Sequence, residues 1–148
     1  MEYLFNFIKT PNTRIQKVNY EDVKLCINNS NYLLINTLPA YEQTCLIHNT
    51  VNFAAEEQIV NNLIKSNKSQ TIILYGKNSN DESVYKKYQE FIELGFINVY
   101  IYLGGLFEWL LLQDIYGKDL FKTTSNELDI IKFRPPSLLE KKLITNNY

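Results

Sequence analysis

Three short, mainly apolar runs constrain the fold of this chain more than any other feature of its sequence. They cover residues 32–35, 71–75 and 99–103. Unbroken runs of this length are typical of strands buried on both faces of a parallel sheet, because a strand with one solvated face alternates apolar and polar residues. Two weaker segments, 14–18 and 50–53, predict two further short strands. We therefore expect a sheet of five strands.

Helical periodicity lies between these runs. Apolar residues recur at helical spacing within residues 20–28, 56–66, 82–94 and 106–116. The third helix follows a Ser-Asn-Asp-Glu segment that fits a capping box led by Ser79, and it stops before Gly95. Strands that alternate with helices predict an α/β fold, with a central, mostly parallel five-stranded sheet flanked by helices.

The length of 148 residues is typical of one domain. We expect a single domain over residues 1–136, in which residues 117–136 form a C-terminal extension that packs back on the rest. Pro135 and Pro136 end any regular element there. Residues 137–148 are expected to form a polar, mobile tail.

Composition restricts the possible ligands. The net charge of −1 gives no general electrostatic reason to bind nucleic acid or an anionic membrane. A single histidine, His48, and two cysteines argue against a zinc site, so we expect neither a metal nor another cofactor.

The chain shows no sign of export or of membrane insertion. Residues 1–10 lack the basic region and the cleavage site of a signal peptide, and no apolar run reaches 18 residues. We expect a soluble, cytoplasmic protein with reduced thiols. Its abundance of Asn, Ile, Lys and Tyr indicates an AT-rich genome, such as that of a protist, a parasite or a large DNA virus.

Three segments resemble motifs of the rhodanese family. Residues 94–109, LGFINVYIYLGGLFEW, resemble the closing signature of that family, in which a helix ends in LGF, a strand follows as xNVY, and GGxxxW starts the last helix. Upstream, LLINTLPAYE at residues 33–42 resembles LLIDVRxxxE, and CLIHNTVN at residues 45–52 resembles GHIPGAIN. The resemblance covers about residues 14–116, and it implies the fold shared by sulfurtransferases and dual-specificity phosphatases.

The resemblance also implies where the site lies. Family members carry a cysteine directly after the strand at residues 71–75, in a loop whose N–H groups and following helix dipole lower the cysteine pKa and hold a persulfide. This chain has Gly76 there, in a loop that reads GKNSNDE. No arginine closes the loop for phosphatase chemistry. Asp81 and Glu82 oppose a bound anion, with Lys77 alone to offset them.

Other family positions have also changed. Asn36 stands where the family usually has aspartate, Leu38 where it has arginine, and Leu46 where it has histidine. Our leading hypothesis is therefore a catalytically inactive module that acts in binding or regulation and is not an enzyme. The degenerate loop, from Gly76 to Asp81, would offer Lys77, Asn78, Ser79 and Asn80 to a protein or peptide partner.

Two alternatives remain open at this stage. Cys45, with His48 three residues later, could act as a displaced thiol in a sulfurtransferase-type enzyme. The extension at residues 117–136 could instead serve self-association in a structural protein. Cys26, late in the first helix, is expected in or beside the core. The sequence does not decide the oligomeric state.

Overall fold

The computed structural model describes residues 14–146, with side chains as far as residue 143. One sheet holds four strands, which are β1 (Lys17–Val18), β2 (Tyr32–Asn36), β3 (Thr71–Tyr75) and β4 (Val99–Tyr102). The strand order is β1-β4-β3-β2, and every pair is parallel. The α/β class and the parallel sheet are therefore confirmed.

Helices cover both faces of this sheet. The α-helices are α1 (Tyr20–Cys26), α2 (Phe53–Ser66), α3 (Ser83–Glu93), α4 (Gly105–Tyr116) and α5 (Leu138–Asn146), and two 3-10 helices span Ala40–Glu42 and Ile130–Phe133. Helices α1 and α4 pack on one face, and α2 and α3 pack on the other. In β3, Ile73 and Tyr75 face the first pair, whereas Ile72 and Leu74 face the second. Covering both faces explains why the strand runs are unbroken.

The predicted count of five strands is wrong for the described residues. Residues 50–53 contribute only an isolated parallel bridge from Thr50 to Leu34, next to a 2.8 Å bond from the Val51 N–H to the Leu34 carbonyl. Asn49 turns the chain with φ at +65°, and Asn52 already caps α2. The chain therefore runs beside β2 for too short a distance to form a strand. The segment at 14–18 likewise shortens to β1.

The capping box predicted for Ser79 is also wrong. Ser79 is exposed on the loop, and α3 begins four residues later, at Ser83. The Oδ1 atom of Asp81 accepts the Ser83 N–H at 3.0 Å instead. The Asp81 N–H donates to the Asn78 carbonyl at 3.3 Å, so Ser79 lies inside a turn that precedes the helix.

Residues 117–133 close the face that carries α1 and α4. Phe121 and Phe133 are each 3% exposed, and the Phe121 ring lies 5.0 Å from that of Trp109. The Trp109 Nε1–H donates to the Lys122 carbonyl at 3.0 Å. Thr123 forms an antiparallel bridge with Ile47. The extension thus completes a hydrophobic core rather than lying over one.

The segment expected to be a polar tail carries helix α5. The helix follows Pro135 and Pro136, and the Glu140 N–H donates to the Ser137 hydroxyl at 3.2 Å in its first turn. Serine at this position satisfies an N–H group that has no partner within the helix. Residues 1–13 and 147–148 lie outside the described residues, as do the parts of our domain, leader and tail predictions that fall on them.

Candidate functional site

The degenerate loop, which the family resemblance predicts as the site, connects β3 to α3 at the carboxyl edge of the sheet. The ends of β2 and β4 lie beside it, because β3 pairs with both. Ligands of open parallel sheets bind in the crevice at this edge. The fold therefore puts the degenerate loop where a ligand site is expected.

The turn before α4 packs directly on the loop. The backbone of Gly105 has φ at +68°, and a Cβ atom there would lie 2.7 Å from the Gly76 carbonyl oxygen and 3.0 Å from the Asn78 nitrogen. The Leu106 N–H donates to the Gly76 carbonyl at 3.0 Å, and the Phe107 N–H donates to the Lys77 carbonyl at 2.9 Å. Only glycine permits this approach of two backbones.

The carboxylate of Asp81 lies inside the loop. Its Oδ2 atom accepts the Lys77 N–H at 2.8 Å, and its Oδ1 atom accepts the Ser83 N–H at 3.0 Å and the Ser83 hydroxyl at 2.6 Å. A Cβ atom on Gly76 would lie 2.6 Å from Oδ2 and 2.9 Å from Cγ of Asp81. The carboxylate therefore occupies space that a side chain at residue 76 would need.

Asn78 joins the loop to the C-terminal extension. Its side-chain Nδ2 donates to the Phe133 carbonyl at 2.9 Å, and its Oδ1 accepts the Asn80 N–H at 2.9 Å. The residue is only 6% exposed. Asn78, predicted to contact a partner, thus also joins the loop to the extension, and it lies among the residues that line the groove described below.

Lys77, the cation expected to offset Asp81 and Glu82, pairs with Glu42. The Lys77 Nζ atom lies 3.1 Å from Glu42 Oε1, and both side chains are half-buried. An ion pair this close to solvent contributes about 0–1 kcal/mol. Ser79 and Asn80 remain as the exposed polar side chains of the loop.

A groove of about 690 Å³ opens beside the loop. One wall comes from Pro39, Tyr41 and Glu42, and the loop supplies the floor. The far wall comes from residues 134–137 and from the first half of α5. The structure thus places three segments that are distant in sequence around one concavity.

Sequence reasoning missed the groove residues outside the loop. Tyr41, 82% exposed, follows β2 at the groove wall, and Arg134 enters the far wall from the extension. Arg134 also donates through Nη1 to the Ile131 carbonyl at 3.0 Å. Tyr41 precedes the glutamate of the matched LLIDVRxxxE motif, which could have drawn attention to it. No local sequence signal marks Arg134, because it reaches the groove only through the tertiary packing of the extension against the loop.

The structure buries the alternative nucleophile. Cys45 is 1% exposed, and its S–H donates to the Ser125 carbonyl at 3.4 Å. No hydrogen bond among the described side chains joins Cys45 to His48. The backbone N–H of His48 donates to the Lys122 carbonyl at 3.0 Å. Cys26 is half-buried, and its pKa is raised by burial first and then by the Asp22 charge. Neither thiol has the environment of an activated nucleophile.

The segment at residues 45–52 is held by a buried hydroxyl pair. The Tyr75 hydroxyl accepts the Ile47 N–H at 3.2 Å and lies 2.6 Å from the Thr50 Oγ1. Burial raises the pKa of Tyr75, so the phenol stays protonated. Leu46, which the resemblance aligns with the histidine of the family motif, is buried. The segment is therefore a packing element in this chain.

Asn36 and Leu38, which the resemblance aligns with the aspartate and arginine of the family motif, are also internal. The Asn36 Oδ1 accepts the Leu38 N–H at 3.0 Å, whereas its buried Nδ2 has no hydrogen-bond partner. Leu38 lies in the hydrophobic core. These side chains support the turn after β2 and do not line the groove.

The described part of the chain shows neither a metal-binding cluster nor a membrane-spanning helix. Residues 14–146 contain no group of three or more His, Cys, Asp or Glu side chains placed to hold a metal ion. Within the same range, each helix is too short or too polar to cross a bilayer.

Comparison with known proteins identifies the family. The model of the rhodanese-like domain matches residues 19–112, which is more than half of the chain. The chain therefore belongs to the rhodanese-like domain family. No curated protein matches it significantly.

Solved structures share the fold at low sequence identity. The rhodanese-like domain of an Anabaena protein is 20% identical, with a TM-score of 0.54 over 84% of this chain and 87% of that one. A Bacillus halodurans protein is 18% identical, with a TM-score of 0.54 over 78% and 82% of the two chains. A Lactobacillus plantarum protein is 16% identical, with a TM-score of 0.53 over 76% and 90%.

Proposed function

We propose that this chain is a catalytically inactive rhodanese-like domain that acts as a protein-binding or regulatory module. The observation that carries the proposal is the loop itself. By the resemblance of the flanking motifs, Gly76 stands where family members carry the cysteine. The Asp81 carboxylate fills the space beside its backbone. A loop without sulfur cannot form the persulfide on which sulfur transfer depends.

The groove beside the loop is the proposed recognition site. It presents an exposed aromatic ring at Tyr41 and an exposed guanidinium at Arg134, and these residue types are enriched where proteins bind one another. Asp81 sits at the floor of the groove and opposes a small anion. A peptide segment of a protein partner fits this mixture of apolar and polar groups.

The first experiment is a thiosulfate-to-cyanide sulfurtransferase assay on the wild type. We expect no turnover, because neither Gly76 nor the buried Cys45 can carry sulfur. The control is Cys45→Ser. Wild-type turnover that disappears in this variant would make Cys45 the nucleophile and overturn the proposal.

The second experiment tests the groove with a displayed peptide library panned against the wild-type chain. Peptides selected in this way should lose about tenfold or more in affinity for Tyr41→Ala and Asn80→Ala, a change of about 1.4 kcal/mol. Ser79→Ala is the matched control, because Ser79 is exposed on the same loop but does not line the groove. Peptides that bind all three variants equally would place recognition elsewhere.

Self-association is a second candidate function, favoured by one observation. Helix α5 exposes Leu138, Leu139 and Leu143, and a second copy could bury them. Analytical ultracentrifugation of the wild type and of Leu139→Ser/Leu143→Ser decides this. A concentration-dependent mass that the double variant abolishes supports self-association, whereas a monomer at all concentrations rejects it.

A cytoplasmic location is part of the proposal. Both cysteines are unpaired in the structure, and a reducing compartment keeps thiols in that state. A tagged chain should distribute through the cytoplasm of its host, and accumulation in a secretory compartment would contradict this.

A further inference from the structure

The loop contains a reciprocal contact that the loss of the cysteine alone does not explain. Asp81 folds back on Gly76, so that a Cβ atom built on Gly76 meets Oδ2, Cγ and Cβ of Asp81 at 2.6, 2.9 and 3.1 Å. A Cβ atom essentially never lies within 3.0 Å of another heavy atom that is not bonded to it, so one of the two groups must give way. A side chain at residue 76 and the carboxylate of Asp81 exclude each other.

We propose that Asp81 is an internal substitute for the missing side chain and that its carboxylate, in addition to the missing thiol at Gly76, blocks persulfide chemistry in this loop. This inference rests on the proposed function, since it concerns how an inactive loop is closed. It assigns to Asp81 the role of a positioning residue that holds the loop in one shape.

The carboxylate is held too firmly to move aside at little cost. It accepts hydrogen bonds from the Lys77 N–H, the Ser83 N–H and the Ser83 hydroxyl. The Ser83 Oγ also lies 2.8 Å from the Thr37 Oγ1, which connects this network to the end of β2. Displacing Asp81 would leave these N–H groups without their acceptor.

The backbone of Gly76 is held equally firmly from the opposite side. Its carbonyl accepts the Leu106 N–H at 3.0 Å, and Gly105 approaches so closely that a Cβ atom there would lie 2.7 Å from the same carbonyl oxygen. The strand and the glycine turn therefore prevent residue 76 from retreating. A cysteine introduced at this position must compete with the carboxylate for space.

Persulfide formation with thiosulfate provides the readout. The introduced thiolate attacks the outer sulfur of thiosulfate, a new sulfur–sulfur bond forms, and the bond within thiosulfate breaks. Sulfite leaves with the electron pair, so atoms and charge balance without any other oxidant. Peptide mass mapping locates the added sulfur atom and separates it from any reaction at Cys26 or Cys45.

The experiment compares three full-length variants. They are Gly76→Cys, Gly76→Cys/Asp81→Gly and the matched control Gly76→Cys/Glu82→Gly. Glu82 is the neighbouring carboxylate at the start of α3, and its side chain makes no hydrogen bond there. We expect persulfide to form at least about tenfold faster in the variant without Asp81, a difference of about 1.4 kcal/mol in the barrier. The other two variants should stay equally slow.

A second measurement keeps the proposal testable if no variant forms persulfide. The rate of alkylation of the introduced thiol by iodoacetamide should rise when Asp81 is removed and stay unchanged when Glu82 is removed. Thermal unfolding of all the variants, together with Asp81→Gly alone, should show that Gly76→Cys lowers the melting temperature less in the absence of Asp81. Equal alkylation rates in the three thiol variants, with additive changes in melting temperature, would overturn the inference. Failure of the proposed function would instead appear as turnover in the wild type, which these variants do not measure.

Discussion

At the scale of single residues, Gly105 shows how closely the degenerate loop packs against the start of α4. Its φ of +68° is one that L-residues rarely adopt, and its missing side chain leaves room for the carbonyl of Gly76. Gly95 also has a positive φ, +96°, but the atoms nearest to it belong to the flexible side chain of Lys68. A side chain at either position would strain the backbone, but only a side chain at Gly105 would also collide with another backbone segment.

We expect Gly105→Ala to destabilise the domain more than Gly95→Ala does. The left-handed conformation alone costs roughly 1–2 kcal/mol in either variant, and the collision with Gly76 and Asn78 adds to it only at Gly105. Urea unfolding measures the difference. Equal losses in the two variants would show that the loop can move away from the turn.

The two thiols should both react slowly in the native protein. Cys45 is buried, and the raised pKa of Cys26 leaves less thiolate at neutral pH. Alkylation followed by mass spectrometry should show the rate at Cys45 rising at least about tenfold when the chain is unfolded in urea, because only opening exposes a buried group. The rise at Cys26 should be smaller, because that side chain is already partly exposed. Faster native reaction at Cys45 than at Cys26 would contradict the packing described above.

At the scale of elements, Asn78 links the loop to the 3-10 helix at Ile130–Phe133. We expect Asn78→Ala to lower the free energy of unfolding by about 1–3 kcal/mol, because the Phe133 carbonyl and the Asn80 N–H lose their partner. Limited proteolysis with trypsin should then cut faster after Lys132. Ser79→Ala, one residue away and exposed, is the control and should stay within about 0.5 kcal/mol of the wild type.

The same scale shows how far sequence reasoning reaches. Strands β2, β3 and β4 were predictable, because burial on both faces leaves an unbroken apolar run. The short pairing of β1 with β4 and the single bridge at Thr50 depend on the position of a strand that is distant in sequence. The local pattern of apolar residues does not predict that position. Asp81 was predicted to oppose a bound anion. Its contact with Gly76 could not be foreseen, since the curl of the loop is set by α4 and the extension.

At the scale of the whole molecule, the extension is part of what makes the domain stable. Phe121 packs against Tyr20, Trp109 and Tyr116, with ring centroids 5.8, 5.0 and 6.1 Å away. We expect Phe121→Ala to cost about 3–5 kcal/mol and to shift the fluorescence of Trp109 to longer wavelength. Leu120→Ala, the exposed neighbour, should do neither. An undisturbed Trp109 spectrum in Phe121→Ala would mean that the extension is dispensable.

The place of the extension also affects how the chain matures on the ribosome. Domains tend to fold as units during synthesis. Here the hydrogen-bond acceptor of Trp109 is the Lys122 carbonyl, and the core includes Phe121 and Phe133, all of which are synthesised after Trp109. All the residues that match the family are therefore translated before the partners that complete their packing. A nascent chain ending near residue 116 would still expose apolar surface, and chaperones would have that surface to bind until the last turns emerge.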